Sequence, residues 1–340
     1  NVAVGRQSLL SITEGHNNVA VGNTAGYSAT TGTGNVMVGY QAGYDLTDGQ
    51  QNVLIGEEAG ENLVGGGYNV AIGSDSLKTS TATTYTVAIG KNALSSGLTT
   101  SQFGIGIGYS ALQNITSAGE TIAIGAYAGD AITTSSNNTA IGHAALSTVA
   151  TGDGNNTVLG REAMRDAGAT SSYNTAVGSS SFGYGGGTQV GNTGLGYGAG
   201  YYPSGNYNTY LGFKAGYGNV TTKTGYGNVG VGSEALADIS SGYYNVAVGI
   251  FAGTNMTTGY SNVSIGPRAS NNTSTGHKNV AIGNYAATGN TTGHSNTSIG
   301  YHALLNATVG SENVAIGTYA GSAYVGTTSS VYGGFSVFIG

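Results

Sequence analysis

Residues 279–283 read NVAIG, and the pentapeptide recurs as NVAVG at 245–249 and as NVAIG again at 313–317. Twenty such copies end on glycines running from Gly5 to Gly340, most of them 17 residues apart. So short a period predicts a single repeat array over residues 1–340, of about nineteen coils, where length alone would suggest two or three domains. One residue before each glycine the side chain is aliphatic (Val4, Ile72, Leu159, Ile339), and three residues before it is β-branched (Val2, Ile105, Thr139, Val314). Period-two alternation and β-branching both belong to strands. The expected fold class is therefore all-β, a parallel β-solenoid (β-roll) with about 17 residues per coil, its Val and Ile turned into one core.

The residue between those two is Ala, Gly or Ser in fifteen of the twenty copies. Two readings stay open for it: a second face approached closely by another surface, such as an oligomer axis, or low-volume filler beside a tight turn. Three residues after each glycine stands Ala or Ser (Ala25, Ala42, Ser76, Ala320), followed by Leu, Gly, Met, Phe or another apolar residue. Each repeat thus reads as strand, glycine corner, short second strand and a polar return such as TTGYS at 257–261. One coil buries three or four aliphatic side chains, at roughly 1.5–3 kcal/mol each, while ordering its backbone costs on the order of 1–2 kcal/mol per residue. A lone coil is unstable, and stability accumulates by stacking. At the ordinary strand spacing the stacked coils would make a rod on the order of 90 Å long.

Four residues before the glycine, Asn fills sixteen of twenty copies, among them Asn18, Asn35, Asn52, Asn69, Asn245, Asn262, Asn279, Asn296 and Asn313. Stacked coils convert this column into a structural ladder of side-chain amides. Six residues before the glycine, five successive copies carry Tyr226, Tyr243, Tyr260, His277 and His294, each preceded by glycine. At coil spacing these rings stack. The column is either a stabilising surface ladder or a glycan-stacking strip, with His277 and His294 a remote candidate for a metal pair. Intervals other than 17 make the coils near 178–232 and 317–340 irregular, as where insertions loop out of one face of a solenoid.

Charged residues are only 7% of the chain, and the nine Lys and Arg form no cluster, so no nucleic-acid partner is expected. No apolar run of the roughly 18 residues a membrane helix needs is present, and the strands are too short for a membrane barrel, so no membrane insertion is expected. With no cysteine, disulfide and thiol chemistry are excluded. Glycine strings such as GIGIGYS (104–110) lack the helix of a dinucleotide site. The densest acidic group, Glu57, Glu58 and Glu61, faces Ser74, Asp75 and Lys78 one repeat later, which reads as a compensated surface and not as catalytic carboxylates. No catalytic residue, cofactor or metal site is expected. Asn1 opens mid-motif, which reads as a segment of a longer fibre polypeptide.

The pattern N-[VT]-A-[VI]-G-x-x-A-[GL], with its polar T-T-G-x-x-N return, resembles the head repeats of trimeric autotransporter adhesins, whose signature is an NSVAIG-type strand. It is closer still to the 17-residue repeats of phage tail-fibre and bacterial surface proteins, commonly found upstream of an endosialidase-type intramolecular chaperone domain. The resemblance covers the whole chain. It implies a left-handed parallel β-roll wound in a homotrimer and serving as shaft or receptor-facing head of an extracellular fibre, on a virion or a cell surface. This sequence departs from the adhesin head in its longer period and in having Asn where the adhesins have Asn-Ser, and it shows no neck, anchor or chaperone domain. The function expected is non-enzymatic: the chain partners itself, as a homotrimer or an end-to-end surface filament, and meets cell-surface or matrix glycans. The competing class is a tailspike-like polysaccharide-degrading enzyme.

Overall fold

The structure, a computed structural model, describes residues 1–96, 103–202, 205–218, 224–324 and 335–340. Residues 203–204, 219–223 and 325–334 of the irregular coils lie outside the described residues. The chain divides into two compact units, Asn1–Tyr173 and Asn174–Gly340. Each unit contains ten three-residue strands, β1 (Val2–Val4) to β10 (Thr157–Leu159) in the first and β11 (Thr175–Val177) to β20 (Val337–Ile339) in the second. Within each unit every strand pairs in parallel with the next, and like residues face like, as in Val246↔Val263↔Val280. The protein is an all-β parallel solenoid with one strand per coil. Register survives the irregular intervals: Thr175, Thr193, Thr209 and Val229 stay aligned although 18, 16 and 20 residues separate them. The surplus loops out, as at Gly186, where a side chain would meet nothing.

Two expectations are corrected. The aliphatic residues of the pentapeptide do not point into the core. In all twenty strands the two outer residues are half-buried or exposed, whereas the middle residue is buried in every strand but the first and last. Ile265 is 38% and Ile282 36% exposed, while Ser264 and Ala281 between their flanking residues are fully buried. The small column is therefore interior, neither a second packed face nor filler beside a turn. The core of each coil is closed by this residue, the buried Ala or Ser three after the glycine, the apolar residue after that, and a fourth position such as Leu46, Ile115 or Met256.

Volume exchange across this narrow interior explains four of the five large exceptions in the small column. Met37 and Leu54 fill space left by Gly26, Gly43 and Gly60, whose added Cβ would lie 2.8–2.9 Å from their side chains. Buried Tyr210 likewise sits against Gly200 and Gly216, and Phe338 against Gly321. Where Leu94 takes the opposite position, the strand residue shrinks to Gly106. At these positions a gain in volume on one side is matched by a loss on the other, as close packing demands. No glycine occupies the partner positions of Val158, the fifth exception, which stand as Leu146 and Met164.

The second correction concerns the segment after the glycine, which is a run of turns and not a second strand. It still hydrogen-bonds from coil to coil. Thr24 N–H donates to Arg6 O at 2.8 Å in one coil direction, and Gly26 N–H donates to Ala42 O at 2.9 Å in the other. This alternation is produced by left-handed residues two and four after the glycine, as at Gln7 (φ 56) and Leu9 (φ 49), with a third just before the Asn column, as at Asn17 (φ 60). L-residues pay about 1–2 kcal/mol for that conformation, and β-branched ones suffer most. Among the described residues Thr24 (φ 54) is the one β-branched side chain placed there. Thr24→Asn is therefore expected to stabilise the protein by about 1 kcal/mol, raising the melting temperature of the first unit by about 2–4 °C in a thermal scan.

Candidate functional site

Because the coils stack in register, every surface column becomes a rank of neighbouring side chains. The predicted aromatic ladder forms. Ring centroids lie 5.2 Å apart for Tyr226–Tyr243, 4.9 Å for Tyr243–Tyr260, 4.6 Å for Tyr260–His277 and 5.0 Å for His277–His294, with planes within 19° of parallel. The glycine before each ring is required by packing: an added Cβ at Gly242 would lie 2.3 Å from the carbonyl oxygen of Gly259 in the next coil. The ladder's geometry decides what it offers outward. Tyr243, Tyr260 and His277 have both faces covered by neighbouring rings, and Tyr244 stands edge-on to Tyr226 and Tyr243 at 5.0 and 5.6 Å. A sugar packs on an open aromatic face, and this stack exposes rims and hydroxyls instead.

His277 and His294 lie nearly parallel, so their in-plane lone pairs run side by side and do not converge. Burial, and next the neighbouring His294, hold the His277 imidazole below its ordinary range. Among the described residues no group of three or more His, Cys, Asp or Glu gathers as a metal site would require. A second stacked ladder, Tyr68–Tyr85–Phe103, was missed in the sequence because its rings occupy a different column; its centroids are 5.0 and 5.6 Å apart.

The Asn ladder is more elaborate than a row of amides. Asn35 Nδ2 donates to Asn18 Oδ1 at 3.1 Å and to Gly49 O at 2.7 Å, while its backbone N–H donates to the same Asn18 oxygen at 2.9 Å. Each side chain thus ties three coils together in the interior. The run Asn174, Asn192, Asn208, Asn228, Asn245, Asn262, Asn279, Asn296, Asn313 repeats this in the second unit. In the first unit the ladder is interrupted after Asn69, where Thr86 turns its hydroxyl back to Thr84 O, and resumes with Asn156 Nδ2 donating to Asn138 Oδ1 at 3.0 Å. A rank of Thr and Ser hydroxyls does similar work at the return: Thr257 Oγ1 donates to Ser274 O and Ser274 Oγ to Thr291 O, at 3.1 and 3.2 Å.

The acidic group is tied down by one lysine. Lys78 Nζ pairs with Glu58, with Asp75 at 3.0 Å and with Glu61 at 3.8 Å. The hydrogen bonds that its ammonium donates to Glu58 and then to Asp75 hold it well above the usual lysine range. Burial, and next Glu58, push the Glu61 carboxyl up. The arrangement is an ion-paired surface cluster, as the sequence suggested. Among the described residues no helix is long and apolar enough to cross a membrane.

The most extensive surface feature is the outer face of the strands. There the residues one and three before the glycine stand side by side in every coil, for example Val246 and Val248, Val263 and Ile265, Val280 and Ile282. Nine coil spacings of about 4.8 Å by about 6.7 Å between alternate side chains give each unit a face on the order of 300 Å², aliphatic except for Thr139 and Thr157 in the first unit and Thr175, Thr193, Thr209 and Thr297 in the second, which show a hydroxyl beside their methyl group. That equals the largest apolar patch of an ordinary monomer, and each unit carries one. Compared with protein-family models and with curated proteins, the chain matches none.

Proposed function

We propose that this chain is a structural, non-enzymatic segment of an extracellular fibre, of the kind found in phage tail fibres and bacterial surface adhesins. Copies associate side by side through the Val/Ile face of their strands. The observation that carries this reading is the inside-out pentapeptide: the small residue is buried within the coil, and an aliphatic column and a β-branched column of Val, Ile and Thr are presented to the outside. Covering about 300 Å² of such surface on one unit is worth about 7 kcal/mol at about 25 cal/mol per Å², before the entropy of association is subtracted. The resemblance of the repeat to adhesin heads supports three copies, with the aliphatic faces meeting at a common axis. In that arrangement a weak, thin coil gains a second core, which suits a shaft that must resist bending.

The experiment is a native mass measurement on the intact chain and on the double variant Ile265→Lys/Ile282→Lys. The expected masses are three chains for the unaltered protein and one for the variant, whose assembly would bury two ammonium groups from each of three chains around one axis. A single-chain mass for the unaltered protein would refute the reading.

A further inference from the structure

Columns along the solenoid are continuous except where side chains drop out, and the widest such loss in the first unit is Gly65-Gly66-Gly67. One repeat earlier the same positions carry Asp48, Gly49 and Gln50, and one repeat later Ala82, Thr83 and Thr84. Gln50, Gly67 and Thr84 are joined by parallel bridges, so the backbone is continuous while the side-chain rank is interrupted. Gly66 is held to glycine by its backbone (φ 91) and by Thr83 O, which an added Cβ would approach to 2.0 Å. The result is an open notch, two coil spacings or roughly 9.6 Å tall, between Gln50 and Thr84. It encloses about 240 Å³ and is lined by Asp48, Gln50, Gly66, Gly67, Tyr68 and Thr84.

That volume falls just below the range of about 300–1,000 Å³ for clefts that take drug-sized ligands, which suits a single ring. The polar groups on its walls are unspent: among the described residues no hydrogen bond engages the Asp48 carboxylate, the Gln50 carboxamide or the Thr84 hydroxyl. Asp48 and Gln50 are exposed and project from the coil below the gap. Tyr68 is 49% exposed. Tyr85 stacks on one of its faces, and Gln51 stands in the same column one coil before it. A planar carboxylate and a planar carboxamide with one residue, Gly49, between them suit vicinal hydroxyls, which each can engage through two atoms. The exposed part of the Tyr68 ring, which lines the notch, suits an apolar C–H surface. Charge narrows the class further. Asp48 lies on coils that also carry Asp45, Glu57, Glu58, Glu61 and Asp75 against the single Lys78, so an anionic ligand is repelled.

We propose that this notch binds one neutral pyranose ring of a glycan, with Asp48 and Gln50 engaging neighbouring hydroxyls and Tyr68 packing on the C–H face. The site goes beyond the fibre reading, since it assigns a ligand to residues of the first unit that take no part in the Tyr226–His294 ladder. A sugar titration and the native mass measurement fail separately.

The test is calorimetric titration of the full chain with galactose, glucose, mannose, N-acetylglucosamine and, as the anionic member, N-acetylneuraminic acid. At least one neutral sugar is expected to saturate a single site with a Kd on the order of 1 mM, as befits so small a ligand. Asp48→Ala/Gln50→Ala, at exposed positions, is expected to weaken it by about tenfold or more. Thr84→Tyr, which fills the notch with the residue type that other coils carry in this column, is expected to abolish it. Tyr243→Ser leaves binding unchanged, and thermal unfolding checks that each variant keeps its fold. Absence of saturation by every neutral sugar, or saturation that survives both notch variants, overturns the proposal. Equal binding of N-acetylneuraminic acid overturns the neutral class.

Discussion

Gly249→Ala is expected to destabilise the second unit by about 3–5 kcal/mol, the sum of a strained backbone and an overpacked contact. Gly249 ends a strand with φ 135, a conformation open to glycine and strongly disfavoured for L side chains. Space is equally restrictive: an added Cβ would stand 2.7 Å from both the carbonyl carbon and the oxygen of Gly266 and 3.1 Å from Pro267 N. Those are backbone atoms of the next coil, so no rotamer change relieves the clash; the coils themselves must part. Because Gly232 and Gly266 make the same contact with their own successors, opening one step weakens the ladder on both sides. Urea unfolding followed by circular dichroism measures the loss as a shift in midpoint at unchanged slope. A loss below about 1 kcal/mol, the scale of an ordinary surface substitution, would show that the coils are not packed as tightly as described.

Asn262→Ala is the second large effect, expected at about 3–5 kcal/mol. Asn262 Nδ2 donates to Asn245 Oδ1 at 3.0 Å and to Gly276 O at 2.9 Å. Its Oδ1 accepts the backbone N–H of Asn279 at 3.0 Å and Asn279 Nδ2 at 3.2 Å. Alanine removes all four interactions and leaves the Asn279 amide and the Gly276 carbonyl facing a buried gap. Each buried polar group left unpaired costs about 1–3 kcal/mol, and the cavity adds to this. Hydrogen exchange gives a local readout: the Asn279 amide should lose protection selectively, while amides of the first unit keep theirs. Uniform protection across the second unit would mean that the ladder contributes nothing specific. An exposed change such as Thr258→Ala, whose neighbouring hydroxyl rank is carried by Thr257, is a control of small effect.

These two positions are also where the primary structure is most eloquent. The recurring glycine and the Asn four residues before it were visible as columns, and the ladder they imply follows from period alone: once like residues stack, an amide meets an amide. The aromatic column at Tyr226 to His294 was legible for the same reason. The Gly65–Gly67 notch was not, because a missing side chain leaves no signal in a chain so rich in glycine. It takes form only when the coils on either side are placed above and below it.

Spacing alone determined that NVAIG is a strand, that successive copies pair in parallel and in register, and that a single coil could not be stable. It could not choose which of two alternating faces turns inward, since Val-x-Ile and x-Ala-x share one period of two. That choice belongs to the cross-section. The buried Ala or Ser after the corner and the Leu beside it leave room inside for little more than a methyl group, unless a glycine yields space as it does to Met37 and Tyr210. The larger aliphatic side chains are therefore expelled to the outside, where they line a surface instead of a core. Likewise, alternating left-handed residues let turns hydrogen-bond along the axis as a strand would, because what stacking requires is amides aimed at the next coil, whatever the local conformation that aims them.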